Sequence, residues 1–370
     1  MTRFAIPEGV LRFVVPEGVK RRAFSVLAGG ALCITWACSR SDSSPRVLDV
    51  AGATLPYPLY AKWSSEYLRV DPNVRINYQS VGSGAGIRQV TDGVVDFGAT
   101  DEPLNDEQMK RAPAAFVHVP MTIGAVVLAF HLPGVTELRL TAEAIAAIFL
   151  GTIARWDDPT LRETNPGVPL PSGPITVSHR ADGSGSSATF SSLLSRRSDA
   201  WRTTVGAGTA PRFPVGVGAK GNDGVTAFVK ATPLSIGYVE LAYAKQAKLT
   251  IALVRNRAGK YVPPTLEALD RAARSSLSRL PEDNRLSIVD SDDEGAYPIS
   301  ALSFVIVRRD ARDPAKGKAL AKFLWWAIHD GQKLAAPLDY APLPAELVTR
   351  AERSLQELKA EGQPLLARGP

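Results

Sequence analysis

A short apolar strand, a turn of small residues, then a helix: this unit recurs through the first hundred residues after Pro45. A chain patterned this way builds a sheet of mostly parallel strands and gathers the turns along their carboxyl ends. Arg46-Val47-Leu48-Asp49-Val50-Ala51-Gly52 reads as the first strand and Ala53-Thr54-Leu55-Pro56 as its turn. Leu59, Tyr60, Trp63 and Tyr67 then make one face of a helix, with Pro56 just inside its start. Arg75 to Gln79 is a second strand, and Ser80-Val81-Gly82-Ser83-Gly84-Ala85-Gly86 leads into a helix from Ile87 to Val90 and beyond. Val94 to Pro103 is a third strand ending in a turn that carries Thr100 and Asp101. Thr54, Ser83 and Asp101 therefore stand at three loop tips, each open to a ligand role or to plain capping.

A fourth turn is richer. His179-Arg180-Ala181-Asp182-Gly183-Ser184-Gly185-Ser186-Ser187 runs into a helix whose buried stripe is Phe190, Leu193 and Leu194. A guanidinium, hydroxyl donors and free N–H groups at a helix start form an anion cradle. Asp182 fits there as a partner that holds Arg180 in register. The competing reading is an N-cap with a surface salt bridge.

Composition narrows the class. With 370 residues, 45% hydrophobic and 22% charged, the chain is long enough for two domains of an ordinary globular protein. Of the formal charge of +6, half comes from residues 1–37, which hold five basic and two acidic groups. The body has no basic run interleaved with aromatics, so a nucleic-acid partner is not expected. Both cysteines, Cys33 and Cys38, lie near the N-terminus, which excludes disulfides, thiol catalysis and Cys-ligated metal from the body. His118, His131, His179 and His329 have no metal-ligand spacing, and no cofactor or metal is implied.

Lys20-Arg21-Arg22 followed by the apolar run Ala23 to Ala37 has the form of an export signal. Cys38 directly after that run is a lipidation candidate, although Thr35 and Trp36 fit the usual lipoprotein box poorly, so an anchored and a free mature form both stay open. The near-duplicate Arg3–Val10 and Arg12–Val19 is odd for a leader and is consistent with translation starting downstream, for example at Val19.

Ala51-Gly52-Ala53-Thr54-Leu55-Pro56, Asp96-Phe97-Gly98-Ala99-Thr100-Asp101 and Arg180-Ala181-Asp182-Gly183-Ser184-Gly185 resemble the binding loops of the periplasmic phosphate-binding proteins of ABC phosphate importers (PstS type). The resemblance continues through Leu150–Pro159, Gly218–Val225, Ile236–Glu240 and Leu338–Pro344, and spans roughly residues 46 to 350. It implies a two-lobed α/β fold of the type II periplasmic-binding-protein kind, with a ligand cleft between lobes joined by two crossings. Lobe I would comprise residues 46–122 and 299–370, and lobe II residues 123–298, after a leader and linker over 1–45. It implies a phosphate site made of Thr54, Leu55, Ser83, Asp101, Arg180, Asp182, Ser184, Gly185 and Ser186. Leu55 stands where the family has Phe, and Ser186 where it has Thr. The implied function is phosphate capture by hinge closure and delivery to membrane permease subunits with their ATPase, by an exported, periplasmic, monomeric protein.

Met121 to Phe130 reads as a buried strand and Pro298 to Val307 as the strand that returns the chain to the first lobe. Thr141 to Phe149 is an Ala/Ile-rich helix. The Gly-rich run Gly206 to Gly224 is expected as an ordered loop before a helix at Val225–Val229, and Asp290, Asp292, Asp293 and Glu294 as a solvated loop. Phe323, Trp325 and Trp326 are expected in the core.

Two alternatives remain from the residues. One is a site for another tetrahedral oxyanion such as sulfate. The other is a secreted phosphatase-like hydrolase, for which Ser184 lacks the Gly-x-Ser-x-Gly elbow, and His179 would point away from Arg180 on a strand.

Overall fold

The computed structural model describes residues 45–366. Strands β1 (Arg46–Gly52), β2 (Val74–Ser80) and β3 (Phe97–Thr100) form where apolar residues cluster, and β1 pairs in parallel with both of the others. Strand β4 (Phe116–His131) is almost wholly buried along its length, as expected of a strand covered on both faces. It is followed by β5 (Thr176–Arg180), β6 (Val217–Ala219), β7 (Ser235–Glu240) and β8 (Ser300–Arg308). The sheet order is β2-β1-β3-β8-β4-β7-β5-β6. β8 and β4 run antiparallel to their neighbours β3 and β7, whereas β7, β5 and β6 are parallel to one another.

β4 is the seam of the molecule. Its Phe116–Ala125 portion pairs with β8, and its Val126–His131 portion pairs with β7. The chain thus passes between two lobes along β4 and returns along β8, the type II periplasmic-binding-protein arrangement. Helices α1 (Tyr57–Val70), α2 (Ser83–Asp92), α3 (Ala142–Leu150), α4 (Gly185–Arg197), α5 (Gly221–Ala231), α6 (Leu241–Gln246) and α7 (Pro314–Ile328) pack around the sheet.

The register between β8 and β4 slips at Ser303/Phe304, so that Ser303 faces Thr122 while Phe304 faces Pro120, leaving Met121 as the extra residue. Pro120 has no N–H to give a ladder, which suits it to a bulge. The carbonyl of Met121 accepts a hydrogen bond from Gln332 Nε2 at 2.9 Å.

Several local expectations shift. α2 begins at Ser83, four residues before Ile87, because Gly82 at φ 92° turns the chain directly into the helix. Pro56 is the N-cap of α1 and lies just outside its first turn. α5 begins at Gly221, ahead of Val225, where Gly221 at φ 70° turns the chain into the helix, and α7 begins at Pro314 behind the Asp313 side-chain cap. Trp325 and Trp326 are only partly buried, packed on the core that holds Phe323. The acidic stretch is not simply solvated. Asp290 is buried against Arg197 at 2.9 Å, Asp293 pairs with Arg271 at 2.7 Å and Glu294 with Lys260 at 2.7 Å. Cys33, Cys38 and the leader lie outside the described residues.

Candidate functional site

The carboxyl ends of the parallel strands meet at one place. Thr54 follows β1, Ser83 follows β2 and Asp101 follows β3; from the other lobe, Arg180 ends β5 and the 182–187 turn opens α4. All nine residues expected at the site are gathered here. Thr54, Leu55, Ser83, Asp101, Arg180, Ser184 and Ser186 are each no more than 6% exposed.

Arg180 and Asp182 form a two-pronged pair. Arg180 Nε donates to Asp182 Oδ1 at 2.8 Å, and Nη2 donates to Oδ2. With the Arg180 side chain 1% exposed and Asp182 16%, this is not a surface salt bridge. Burial pushes the Asp182 carboxyl up, but the hydrogen bonds and charge of Arg180, together with the Gly221 N–H at 2.9 Å, outweigh it and leave the group below its usual range. Arg180 Nη1 remains buried with no hydrogen-bond partner among the described residues, and so does Ser186 Oγ. A buried donor with no partner costs roughly 1–3 kcal/mol, more when charged. Such groups are stable in a site built for an acceptor.

α4 delivers its first turn to the same point. Ser184 Oγ accepts from Ser187 N–H at 3.1 Å, so Ser184 is an N-cap as well as a cleft residue. Phe190, Leu193 and Leu194 anchor the helix, with Phe190 stacked on Tyr238 at 4.4 Å between ring centroids. The Tyr238 hydroxyl accepts from Arg180 N–H at 3.1 Å and lies 2.6 Å from Ser187 Oγ, tying the Arg180 strand to the helix.

From the first lobe, Asp101 does not cap its own turn. Thr100 does that, accepting from Glu102 N–H at 3.1 Å. Asp101 Oδ1 instead accepts at 2.9 Å from Ser303 Oγ on β8, the residue beside the register shift. Burial raises the Asp101 carboxyl to about 7; the Ser303 bond, the Arg180 charge and Ser83 pull the other way without prevailing. Leu55 fills the wall above Gly124, where a Cβ would lie 2.8 Å from Leu55 Cδ2.

The lobes touch across the cleft. Gly185 N–H donates to Ser83 Oγ at 3.0 Å and Gly84 N–H to Gly183 O at 3.0 Å. A Cβ on Gly185 would sit 2.5 Å from Asp101 Oδ2 and 2.6 Å from Ser83 Oγ, so only glycine permits this approach. Asn222 Nδ2 donates to Thr54 Oγ1 at 2.9 Å and Tyr243 OH to Thr54 O at 2.8 Å.

Sequence reasoning missed Ser303, Asn222, Tyr238, Tyr243 and Glu240 as site residues. Asn222 and Glu240 were legible in principle, because each follows or ends a parallel strand as Thr54 does. Ser303 was not, since strand pairing places it. The buried Glu240 is held well above the usual carboxyl range by burial, with Oε2 accepting from Ala242 N–H at 2.8 Å and Tyr340 OH at 3.2 Å. A cavity of about 210 Å³ elsewhere is lined by Asp96 and Lys316, but these pair with each other at 3.2 Å.

A family model described as a PBP superfamily domain matches residues 39–330. The phosphate-binding protein PstS of Xylella fastidiosa (strain 9a5c) is 41% identical over 304 residues, covering 82% of this chain and 83% of that protein. The PstS of Pasteurella multocida is 38% identical over 323 residues, covering 87% of this chain and 93% of that one. Among solved structures, a phosphate-binding protein from Stenotrophomonas maltophilia superposes with a TM-score of 0.66 at 16% identity, covering 83% of this chain and 93% of the other. A putative phosphate ABC transporter substrate-binding protein from Clostridium perfringens, with bound phosphate, gives a TM-score of 0.58 at 19% identity over 81% of this chain and all of the other. At these identities the structural likeness speaks for the fold.

Proposed function

Because the chain belongs to the family of PstS phosphate-binding proteins, we propose that it captures inorganic phosphate between its lobes and hands it to an ABC phosphate importer. The observation that carries this reading is the pair of buried donors in the residues of this site, Arg180 Nη1 and Ser186 Oγ, that have no acceptor among the described residues. Nine residues hold the ion in this reading. Arg180 supplies the cation, fixed by Asp182. Thr54, Ser83, Ser184 and Ser186 supply hydroxyls and Leu55 its N–H, while Gly185, whose own N–H goes to Ser83 Oγ, lets the first turn of α4 come this close. Asp101 accepts the ligand's proton. Lobe I is residues 46–122 and 299–370, lobe II is residues 123–298, and closure bends the chain where β4 and β8 cross. Membrane permease subunits with their ATPase receive the phosphate from the closed, monomeric protein.

The protein acts outside the inner membrane in this account. No described helix is long and apolar enough to span a bilayer. Mass spectrometry of the mature N-terminus distinguishes an acylated Cys38 from a leader cleaved beyond it.

Binding without catalysis is part of the proposal. Ser184 Oγ accepts the Ser187 N–H as a cap and keeps its own proton for the ligand, while His179 stacks on Phe213 at 4.4 Å with Nδ1 against Arg180 O at 3.1 Å. That leaves no Ser–His dyad of the kind a hydrolase needs. Equilibrium dialysis with labelled phosphate tests the reading. The parent protein is expected to bind one ion per chain. Arg180→Ala, which removes the cation and orphans Asp182, is expected to lose about two to four decades of affinity, from roughly 3–5 kcal/mol for breaking a buried pair. An Arg180→Ala protein binding within a few-fold of the parent contradicts the site.

A further inference from the structure

We infer that Asn222 is a positioning residue: it couples closure of the cleft to the direction in which the Thr54 hydroxyl points, and so fixes Thr54 as a donor to the ligand. The inference rests on the phosphate reading above and deepens it.

Asn222 sits in the first turn of α5 and is fully buried. Its two polar atoms have different jobs. Oδ1 accepts from the Glu240 N–H at 3.0 Å, and Nδ2 donates to Thr54 Oγ1 at 2.9 Å. A backbone N–H can only donate, so the amide oxygen must face Glu240 and the NH₂ must face Thr54. The side chain cannot flip without setting two donors against each other.

A threonine hydroxyl has one proton and can both accept and donate. With Asn222 filling an acceptor position on Oγ1, the Thr54 proton must go to some other acceptor. The Thr54 carbonyl is already engaged by Tyr243 OH at 2.8 Å; Thr54 stands on the turn after β1, which pairs with β3 just before Asp101, and beside Gly221, whose N–H binds Asp182. The acceptor that completes the set is an oxygen of the bound oxyanion. Thr54 belongs to the β1 turn and Asn222 to the β6–α5 turn, on opposite sides of the cleft, so this bond forms only as the lobes meet. Closure itself therefore aims the Thr54 proton.

This has a consequence for the ligand. The oxygen at Thr54 is favoured to be an unprotonated one, because an anionic oxygen accepts the Thr54 proton more strongly than a P–OH oxygen does. The ligand's proton is thereby favoured on a different oxygen, the one that meets Asp101. Asn222 and Asp101 together bias which oxygen of the ion carries hydrogen.

The test is a double-mutant cycle read by calorimetric titration with inorganic phosphate, with thermal unfolding as the fold control. Thr54→Val and Asn222→Ala are each expected to weaken binding about 10- to 100-fold, the scale of one hydrogen bond to a charged group. The double variant is expected to be no weaker than the weaker single. In a Thr54→Ser background, which restores the hydroxyl, the cost of Asn222→Ala is expected to return. Asn222→Asp keeps the shape and the Glu240 contact while losing the donor, and is expected to weaken binding at least as much as Asn222→Ala. Two results overturn the inference while leaving phosphate binding intact: Asn222→Ala binding within twofold of the parent, or fold-losses that multiply in the double variant. A parent protein that binds no phosphate overturns the underlying reading instead, and this inference with it.

Discussion

Asp101 puts a carboxylate into a site for an anion, and its behaviour follows from where its proton is. Its carboxyl rises from 3.8 in the open chain to about 7 in the fold, because burial penalises the charged form. The folded state therefore binds the proton more tightly than the unfolded state. The contribution of Asp101 to stability is fullest below pH 4 and falls as pH rises through 7, by about 4 kcal/mol at most for some three units. Asp101→Asn removes that charge and leaves an oxygen for Ser303. Thermal unfolding of the ligand-free variant should occur several degrees above the parent at pH 8 and close to it at pH 4 or below. The same proton governs selection. A phosphate ion with a P–OH can share its proton with Asp101, whereas sulfate has none to share. Sulfate should bind better as pH falls from 8 to 5 and Asp101 becomes a donor; titrations at the two pH values check this. Sulfate affinity that is flat with pH would contradict the role given to Asp101. That a carboxylate here selects for a protonated ion could be argued from Asp101 alone, but its rise to about 7 was not legible in the sequence, because burial sets it and Ser303, about two hundred positions away, pulls against it.

At the scale of elements, strand–turn–helix units were the readable part. The buried stripe of α1, namely Leu59, Tyr60, Trp63 and Tyr67, matches its sequence pattern residue for residue. That of α4, Phe190, Leu193 and Leu194, lies in the core as well. What the pattern could not give was pairing. The passage of β4 from β8 to β7 and the bulge at Ser303 are set by which strands find each other, and hydrophobic period carries no partner. Helix starts were misread for a related reason: Ser83 and Gly221 begin their helices ahead of the first apolar contact, where glycines in the left-handed region, Gly82 and Gly221, turn the chain. The close approach at the start of α4 makes a sharp prediction. Gly185→Ala adds one methyl that meets Asp101 and Ser83 only when the cleft is shut. The ligand-free variant should unfold at or slightly above the parent's temperature, since alanine favours a helix. Phosphate should no longer raise that temperature. A normal ligand-induced shift in Gly185→Ala would mean that the closed contact in the structure is not the bound one.

On the scale of the whole molecule, closure is carried by the cleft and not by its rim. Lys245 and Asp339 bridge at 2.6 Å, but the two side chains are 51% and 30% exposed. A pair so open to water and salt contributes less than about 1 kcal/mol. Lys245→Met should therefore change phosphate affinity by no more than about fivefold, in contrast to Arg180→Ala, and dialysis distinguishes the two cases. The two-lobed fold was legible only because the whole chain resembles a known family; composition alone said no more than two domains. Capture of a protonated oxyanion in a closed cleft is read out by competition calorimetry at pH 8. The mature protein, titrated with phosphate alone and then with phosphate in the presence of excess sulfate, is predicted to give a saturable heat at one ion per chain. That heat should be unmoved by sulfate at a roughly 10³-fold excess, given that a site leaving a buried polar group unpaired can reject the wrong ligand by about 10⁴–10⁵. Loss of the phosphate heat at comparable sulfate concentration, or no phosphate heat at all, would contradict the account.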